Sequence, residues 1–162
     1  MLMTQKRLNQ LTAWDVMSRH VKTIPQEMPL QEAARMLARE HVSGAPVVDS
    51  VGKCVGVLSA IDFVRWADKG TEPAPTKIWP SYCSDWQMVD LHCLPKDEVR
   101  THMSHDVVTA RPTVPITKLA RMMIDAHIHR IVVVDAECRP IGIVSSTDII
   151  AAVAHLGHDA EE

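Results

Sequence analysis

The chain has 162 residues, 46% of them hydrophobic and 23% charged, with a formal net charge of −3. That balance belongs to an ordinary globular protein of one domain or two small ones. No basic run points to nucleic acid or an anionic membrane, and no apolar stretch approaches the roughly 18 residues of a membrane span.

In chain order, the opening MLMTQKRLNQ carries basic residues with no apolar core behind them. A signal peptide is therefore not expected, and the cytoplasm is the expected compartment. VKTIP, residues 21–25, is rich in β-branched residues and predicts a short strand. Pro29 then suits the first turn of a helix. The helix body LQEAARMLAREH sets Leu30, Ala33, Ala34 and Leu37 at helical spacing. A buried strand APVVD, a turn SVGK and a second strand CVGVLS follow, and Ser59 is placed to cap a last helix. From about residue 65 to 100 the periodicity breaks. Within it, KGTEPAPTKIWPSYCSDWQMVDLHCLPKDE holds four of the ten prolines and two of the four tryptophans, and the region reads as an insertion too long for an ordinary loop. The same grammar then returns. VVTAR predicts a strand, Pro115 a helix start, and Ile116, Leu119, Ala120 and Met123 a helix face. IVVVD, the turn AECR, PIGIVS and a capping Ser145 complete it.

The recurrence is an internal repeat. Sliding the chain by 86 positions sets 17–64 on 103–150 without a gap, and 15 of the 48 pairs are identical. Two copies are too few for a solenoid. A pair packed about a pseudo-twofold axis is the natural solution, as in closed dimers. The expected organisation is an N-terminal helical extension (1–14), a first repeat (15–66), an insertion (67–98), a second repeat (99–156) and a tail (157–162). The expected fold class is α/β (α+β), each repeat running strand, helix, strand, strand, helix, with the two repeats packed through their sheets.

The most telling match pairs GVLSAID, 56–62, with GIVSSTD, 142–148. An ionised carboxylate at Asp62 or Asp148 can accept both hydroxyls of a ribose. The helix start beside Ser59 or Ser145 favours a phosphate. Gly56 and Gly142 permit close backbone approach. Ser-x-x-Asp at a helix start is also a capping arrangement, and the two roles are compatible. His129 and Arg130 precede a buried strand, where arginine suits a bidentate phosphate contact and histidine adds a titratable donor. The competing reading is a solvated pair at a strand edge. Met36, Met122 and Met123 sit at core spacing and read as packing. His41 and His127 fall at helix C-termini, where a cation is mildly favoured.

In the insertion, Cys83, Asp85, Asp90, His92 and Cys93 match no zinc spacing. Trp79, Tyr82 and Trp86 suit a partner contact there. None of the four cysteines forms a C-x-x-C pair. Cys54 and Cys138 lie in or beside predicted strands as small hydrophobes, and no disulfide is expected in a reducing compartment. No P-loop, G-x-S-x-G or metal-binding helix motif argues for an enzyme.

The two segments together, DVMS through VGVLSAIDFV and HMSHDVV through IGIVSSTDII, resemble a tandem of cystathionine-β-synthase (CBS) domains, a Bateman module. The resemblance covers roughly 15–66 and 99–156 and leaves out the insertion. It implies a regulatory module without catalysis, binding an adenosine nucleotide, commonly as a homodimer acting on a separate effector protein. No cofactor is required, and AMP, ADP, ATP or S-adenosylmethionine are the implied ligands. It also implies clefts that mix the repeats. One would combine Thr23, Ile24, Pro25, Val42, Ser43 and Ala45 with Ser145, Thr147 and Asp148. The other would combine Thr109, Ala110, His129, Arg130 and Ile131 with Ser59 and Asp62. The copies differ: Ser43-Gly44 stands where the second has His129-Arg130, and Ile61 where it has Thr147. The alternative reading is a scaffold or dimerisation module with vestigial, empty clefts.

Overall fold

A computed structural model of the chain describes residues 10–69 and 94–158. The sequence pattern and the architecture agree on two copies of one unit. In the first, strand β1 (Ile24–Pro25) leads to helix α2 (Leu30–Arg39), β2 (Gly44–Val48), β3 (Cys54–Ser59) and α3 (Ala60–Lys69); a short helix α1 (Ala13–Val16) precedes it. The second runs β4 (Thr109–Ala110), α4 (Ile116–Ala126), β5 (Arg130–Val134), β6 (Pro140–Ser145) and α5 (Ser146–His158). Each copy forms a three-stranded sheet, β1-β2-β3 or β4-β5-β6, with the first pair parallel and the second antiparallel. Among the described residues, no helix is long and apolar enough to cross a membrane.

The helices bury the face their spacing predicts. Leu30, Ala33 and Leu37 are buried on α2, and Ile116, Leu119 and Met123 on α4. Leu30, Ala33 and Leu37 pack with Ile24, Val47 and Leu58 in one core, and Leu119 and Met123 with Ile131, Val133 and Val144 in the other. Full burial of such a side chain contributes about 1.5–3 kcal/mol. Pro29 and Pro115 stand one place earlier than expected, as N-caps with extended backbone. Their carbonyls already accept the first helical bonds, from Ala33 and Leu119. His41 and His127 end their helices in the left-handed region, at φ 53 and 52. The N–H of Val42 returns to the Leu37 carbonyl and that of Ile128 to Met123, which closes the helix ends.

The predicted strands at 21–25 and 107–111 shrink to two residues each. The preceding residues leave the ladder because they cross between the repeats. Ser18 bonds β6 of the second repeat through Ile143 at 2.9 and 3.0 Å, yet Ile24 pairs with Val47 in the first. Ser104 bonds Val57 of the first repeat at 3.0 Å in both directions, yet Thr109 pairs with Val132 in the second. Each arm thus completes the other repeat: Ala13 and Met17 lie in the second core, Val99 and Met103 in the first. The end of the insertion follows the second arm. Leu94 is buried in the first core, and the N–H of Leu30 donates to the Asp97 carbonyl at 2.9 Å. The metal-type and aromatic residues predicted in the insertion, Cys83, Asp85, Asp90, His92, Cys93, Trp79, Tyr82 and Trp86, lie outside the described residues.

Both hairpins turn on an aspartate. Asp49 accepts the N–H groups of Val51 and Lys53, and Asp135 those of Glu137 and Arg139. The Arg139 backbone bond, helped by its guanidinium, holds the Asp135 carboxyl below its ordinary range. The two hairpin tips meet. The N–H of Cys54 donates to the Cys138 carbonyl at 2.9 Å.

Candidate functional site

Strand β3 runs into α3, and β6 into α5, with no residue between. Such corners leave helix N–H groups in need of acceptors. The aspartate at the third helical position answers. Oδ2 of Asp148 accepts the Ser145 N–H at 2.7 Å and its hydroxyl at 2.6 Å. The Asp148 N–H in turn donates to Ser145 Oγ at 3.2 Å. Oδ2 of Asp62 accepts the Ser59 N–H at 2.8 Å and hydroxyl at 3.0 Å. The capping role is therefore real at both corners, and it consumes one carboxylate oxygen of each.

The other oxygen separates the two corners. Oδ1 of Asp62 accepts the Ser104 hydroxyl at 2.7 Å and lies 3.5 Å from Nη1 of Arg65. Arg65 also donates to Ser104 Oγ at 3.4 Å. Asp62 is only 5% exposed. Asp148 is half-buried, and its Oδ1 has no hydrogen-bond partner among the described residues. The cause is in the sequence. Ala151 stands where Arg65 stands in the first repeat, so no guanidinium reaches Asp148 from its own helix. Ser18 matches Ser104 in backbone pairing but is exposed and does not bond Asp148. An ionised carboxylate oxygen with open lone pairs is a strong acceptor for hydroxyl donors.

The glycines serve the chain rather than open space. A Cβ at Gly56 would lie 2.5 Å from Met103 Sδ and 2.9 Å from the Ser104 carbonyl oxygen; one at Gly142 would lie 2.3 Å from Met17 Sδ. The close approach expected at both positions is made by the exchanged arms. Gly44 has a related constraint, since its Cβ would meet the Leu58 carbonyl oxygen at 2.9 Å. The cation missing from the first repeat therefore has no room at that backbone position.

His129 and Arg130 are exposed. Arg130 stands opposite Ser145 in the β5–β6 ladder, and the Ser146 N–H donates to the His129 carbonyl at 2.9 Å. These bonds tie the pair to the Asp148 corner. In the first repeat, Gly44 faces Ser59, and the Ala60 N–H donates to Ser43. Ile24, Ala45, Ala110 and Ile131 have buried side chains, so they can offer a cleft only backbone. Thr23 is half-buried, and Pro25, Val42, Ser43, Thr109 and Thr147 are exposed. The crossing segments bring the repeats' site residues within reach of each other. Thr109 stands five positions after Ser104, and Thr23 five after Ser18, which at full extension is about 18 Å.

Two contributors escape a reading of the sequence alone, Ser104 and Arg65. The visible signal was the substitution of Ala151 for Arg65 across otherwise matched helices. Separately, an open apolar groove of about 510 Å³ runs between α4 and α5, lined by Met123, Ile124, His127, His129, Ile149 and Ile150 among others. Ile124 and Ile150 on it are 68% and 66% exposed. No group of three or more acidic, cysteine or histidine side chains placed to hold a metal occurs among the described residues.

This paired architecture, with matching strand-to-helix corners, is that of a tandem two-repeat module. The CBS domain family matches at residues 13–69 and 97–155, and the chain belongs to that family. It is 30% identical to the uncharacterised protein MJ1426 of Methanocaldococcus jannaschii, over 86% of this chain and 89% of that one. It is 29% identical to a homoserine O-acetyltransferase of Methanohalobium evestigatum over 83% of this chain, but it spans only 22% of that enzyme's length. Among solved structures, the CBS domain pair of protein MJ0100 in complex with 5′-methylthioadenosine and S-adenosylmethionine superposes with a TM-score of 0.69 at 23% identity, covering 90% of this chain and 97% of that one. CBSX2 in complex with AMP gives 0.69 at 20% identity, over 90% and 98%. At these identities the likeness is one of fold.

Proposed function

We propose that the chain is a regulatory module that binds one adenosine nucleotide at the Asp148 corner and changes its affinity for an effector protein. The observation that carries this reading is the open Oδ1 of Asp148 beside a filled Asp62. The ribose hydroxyls donate to Oδ1, within a cleft completed by Thr23, Pro25, Val42, Ser43, Ser145 and Thr147 and by the backbone at Ile24 and Ala45. Arg130, which the family pattern sets with Ser59 and Asp62, stands instead in register with Ser145, has no ion pair among the described residues, and in this reading meets the phosphate. The Asp62 corner, in the cleft that Ser59, Thr109, Ala110 and Ile131 would line, stays closed to ribose while Ser104 holds the carboxylate. The family and the adenosine compounds in MJ0100 and CBSX2 support the ligand class. The ligand acts on a partner only by binding two conformations unequally.

Titration calorimetry with AMP is expected to give one site per chain. Two equal sites would remove the Asp62 lock from the account. No heat with AMP, 5′-methylthioadenosine or S-adenosylmethionine would leave the scaffold reading, which the filled Asp62 corner favours for its own cleft.

In the same reading a second copy pairs through the α4–α5 groove, whose apolar lining includes the exposed Ile124 and Ile150. An Ile124→Glu/Ile150→Glu variant is expected to have half the wild-type mass by light scattering. An unchanged mass would place the contact elsewhere.

A further inference from the structure

The hairpin tips hold a pair of thiols that the nucleotide site does not use. Cys54 begins β3 of the first repeat, and Cys138 lies in the β5–β6 turn of the second. The N–H of Cys54 donates to the Cys138 carbonyl at 2.9 Å. With standard bond lengths, such a bond holds the two Cα atoms no more than about 6.8 Å apart, inside the span a disulfide bridges. Cys138 sits in the left-handed region, at φ 63, where its counterpart Gly52 sits at φ 84. A cysteine thus occupies a turn position that favours glycine. It is exposed, whereas Cys54 is half-buried and its thiol donates to the Gly56 carbonyl at 3.6 Å.

We propose that Cys54 and Cys138 form a thiol–disulfide exchange site that takes small-molecule disulfides and closes into a bridge between the two repeats. The exposed Cys138 thiolate attacks one sulfur of the small disulfide, forms a mixed disulfide and releases the first small thiol. The Cys54 thiolate then attacks the Cys138 sulfur. The mixed disulfide breaks, the second small thiol leaves, and the Cys54–Cys138 bond forms. The two protein thiols are oxidised, the small disulfide is reduced to two thiols, and the protons of the protein thiols end on them. The order follows access: burial pushes the Cys54 thiol up from its ordinary pKa, so it is the resolving and not the attacking group. The bridge joins the tips of hairpins that otherwise meet through that backbone bond, and so fixes one repeat against the other.

The test uses the full chain with Cys83→Ser and Cys93→Ser, so that only this pair can react, incubated with oxidised glutathione. Peptide mapping is expected to find residues 54 and 138 crosslinked, both protected from alkylation. The melting midpoint is expected to rise by about 10 °C, the size that closing a long loop predicts, and to fall back with dithiothreitol. Adding Cys54→Ser is expected to stop the reaction at one glutathione on Cys138. The proposal is overturned if both thiols remain alkylatable in the folded protein, or if the chain with Cys54 intact also stops at the mixed disulfide.

Discussion

Asp148→Asn is expected to weaken binding of an adenosine nucleotide by about 100-fold, roughly 2.7 kcal/mol, while leaving the free protein's melting midpoint almost unmoved. The asparagine carbonyl keeps the capping bonds that Ser145 makes to Oδ2. Its amide nitrogen then stands where the open, charged Oδ1 stood, so two charge-assisted bonds to ribose are lost and a donor faces donors. Asp62→Asn is expected to do the reverse. Its carboxylate answers Ser59, Ser104 and Arg65 inside the protein. The amide cannot accept on both sides, and about 1–3 kcal/mol of stability goes with it. Affinity for the nucleotide stays within about twofold, since none of the partners of Asp62 belongs to the Asp148 corner. Calorimetry and urea denaturation read the two effects separately. Equal losses of affinity in both variants would mean that the corners are equivalent and that the Ser104 lock opens on binding.

Gly56→Ala is expected to cost about 2–3 kcal/mol of stability, the scale of overpacking in a tight site. The new methyl group meets Met103 Sδ at 2.5 Å, which a flexible side chain can relieve, and the Ser104 carbonyl oxygen at 2.9 Å, which it cannot. Ser104 is held by two backbone bonds to Val57, so moving it unseats the arm from β3. Gly142→Ala is expected to cost less, because the nearest atoms there all belong to the Met17 side chain. Urea unfolding of the two variants gives the comparison. A Gly56→Ala protein as stable as its parent would show that the arm does not rest on the first repeat.

Much of the fold was legible from local pattern. The faces carrying Leu30, Ala33 and Leu37, or Ile116, Leu119 and Met123, follow from spacing alone, and those are the buried faces. The serine and aspartate at each corner were legible too, since a helix start demands an acceptor within three residues. What escaped was the far end of the carboxylates. The residues that decide it, Ser104 and Arg65, lie 42 and three positions from Asp62, and only the first repeat has the arginine.

By itself, the sequence determined that there are two copies of one unit, which residues face their cores, and where each strand turns into a helix. These depend on spacings of a few residues and on helix and strand periods that any local segment must obey. Only the tertiary structure decided that the arms at Met17–Ser18 and Met103–Ser104 cross to the opposite repeat, that one aspartate is filled and the other open, and that Cys54 meets Cys138. Those are contacts between segments distant in the chain, set by how two sheets share their edges, and no local periodicity carries that information.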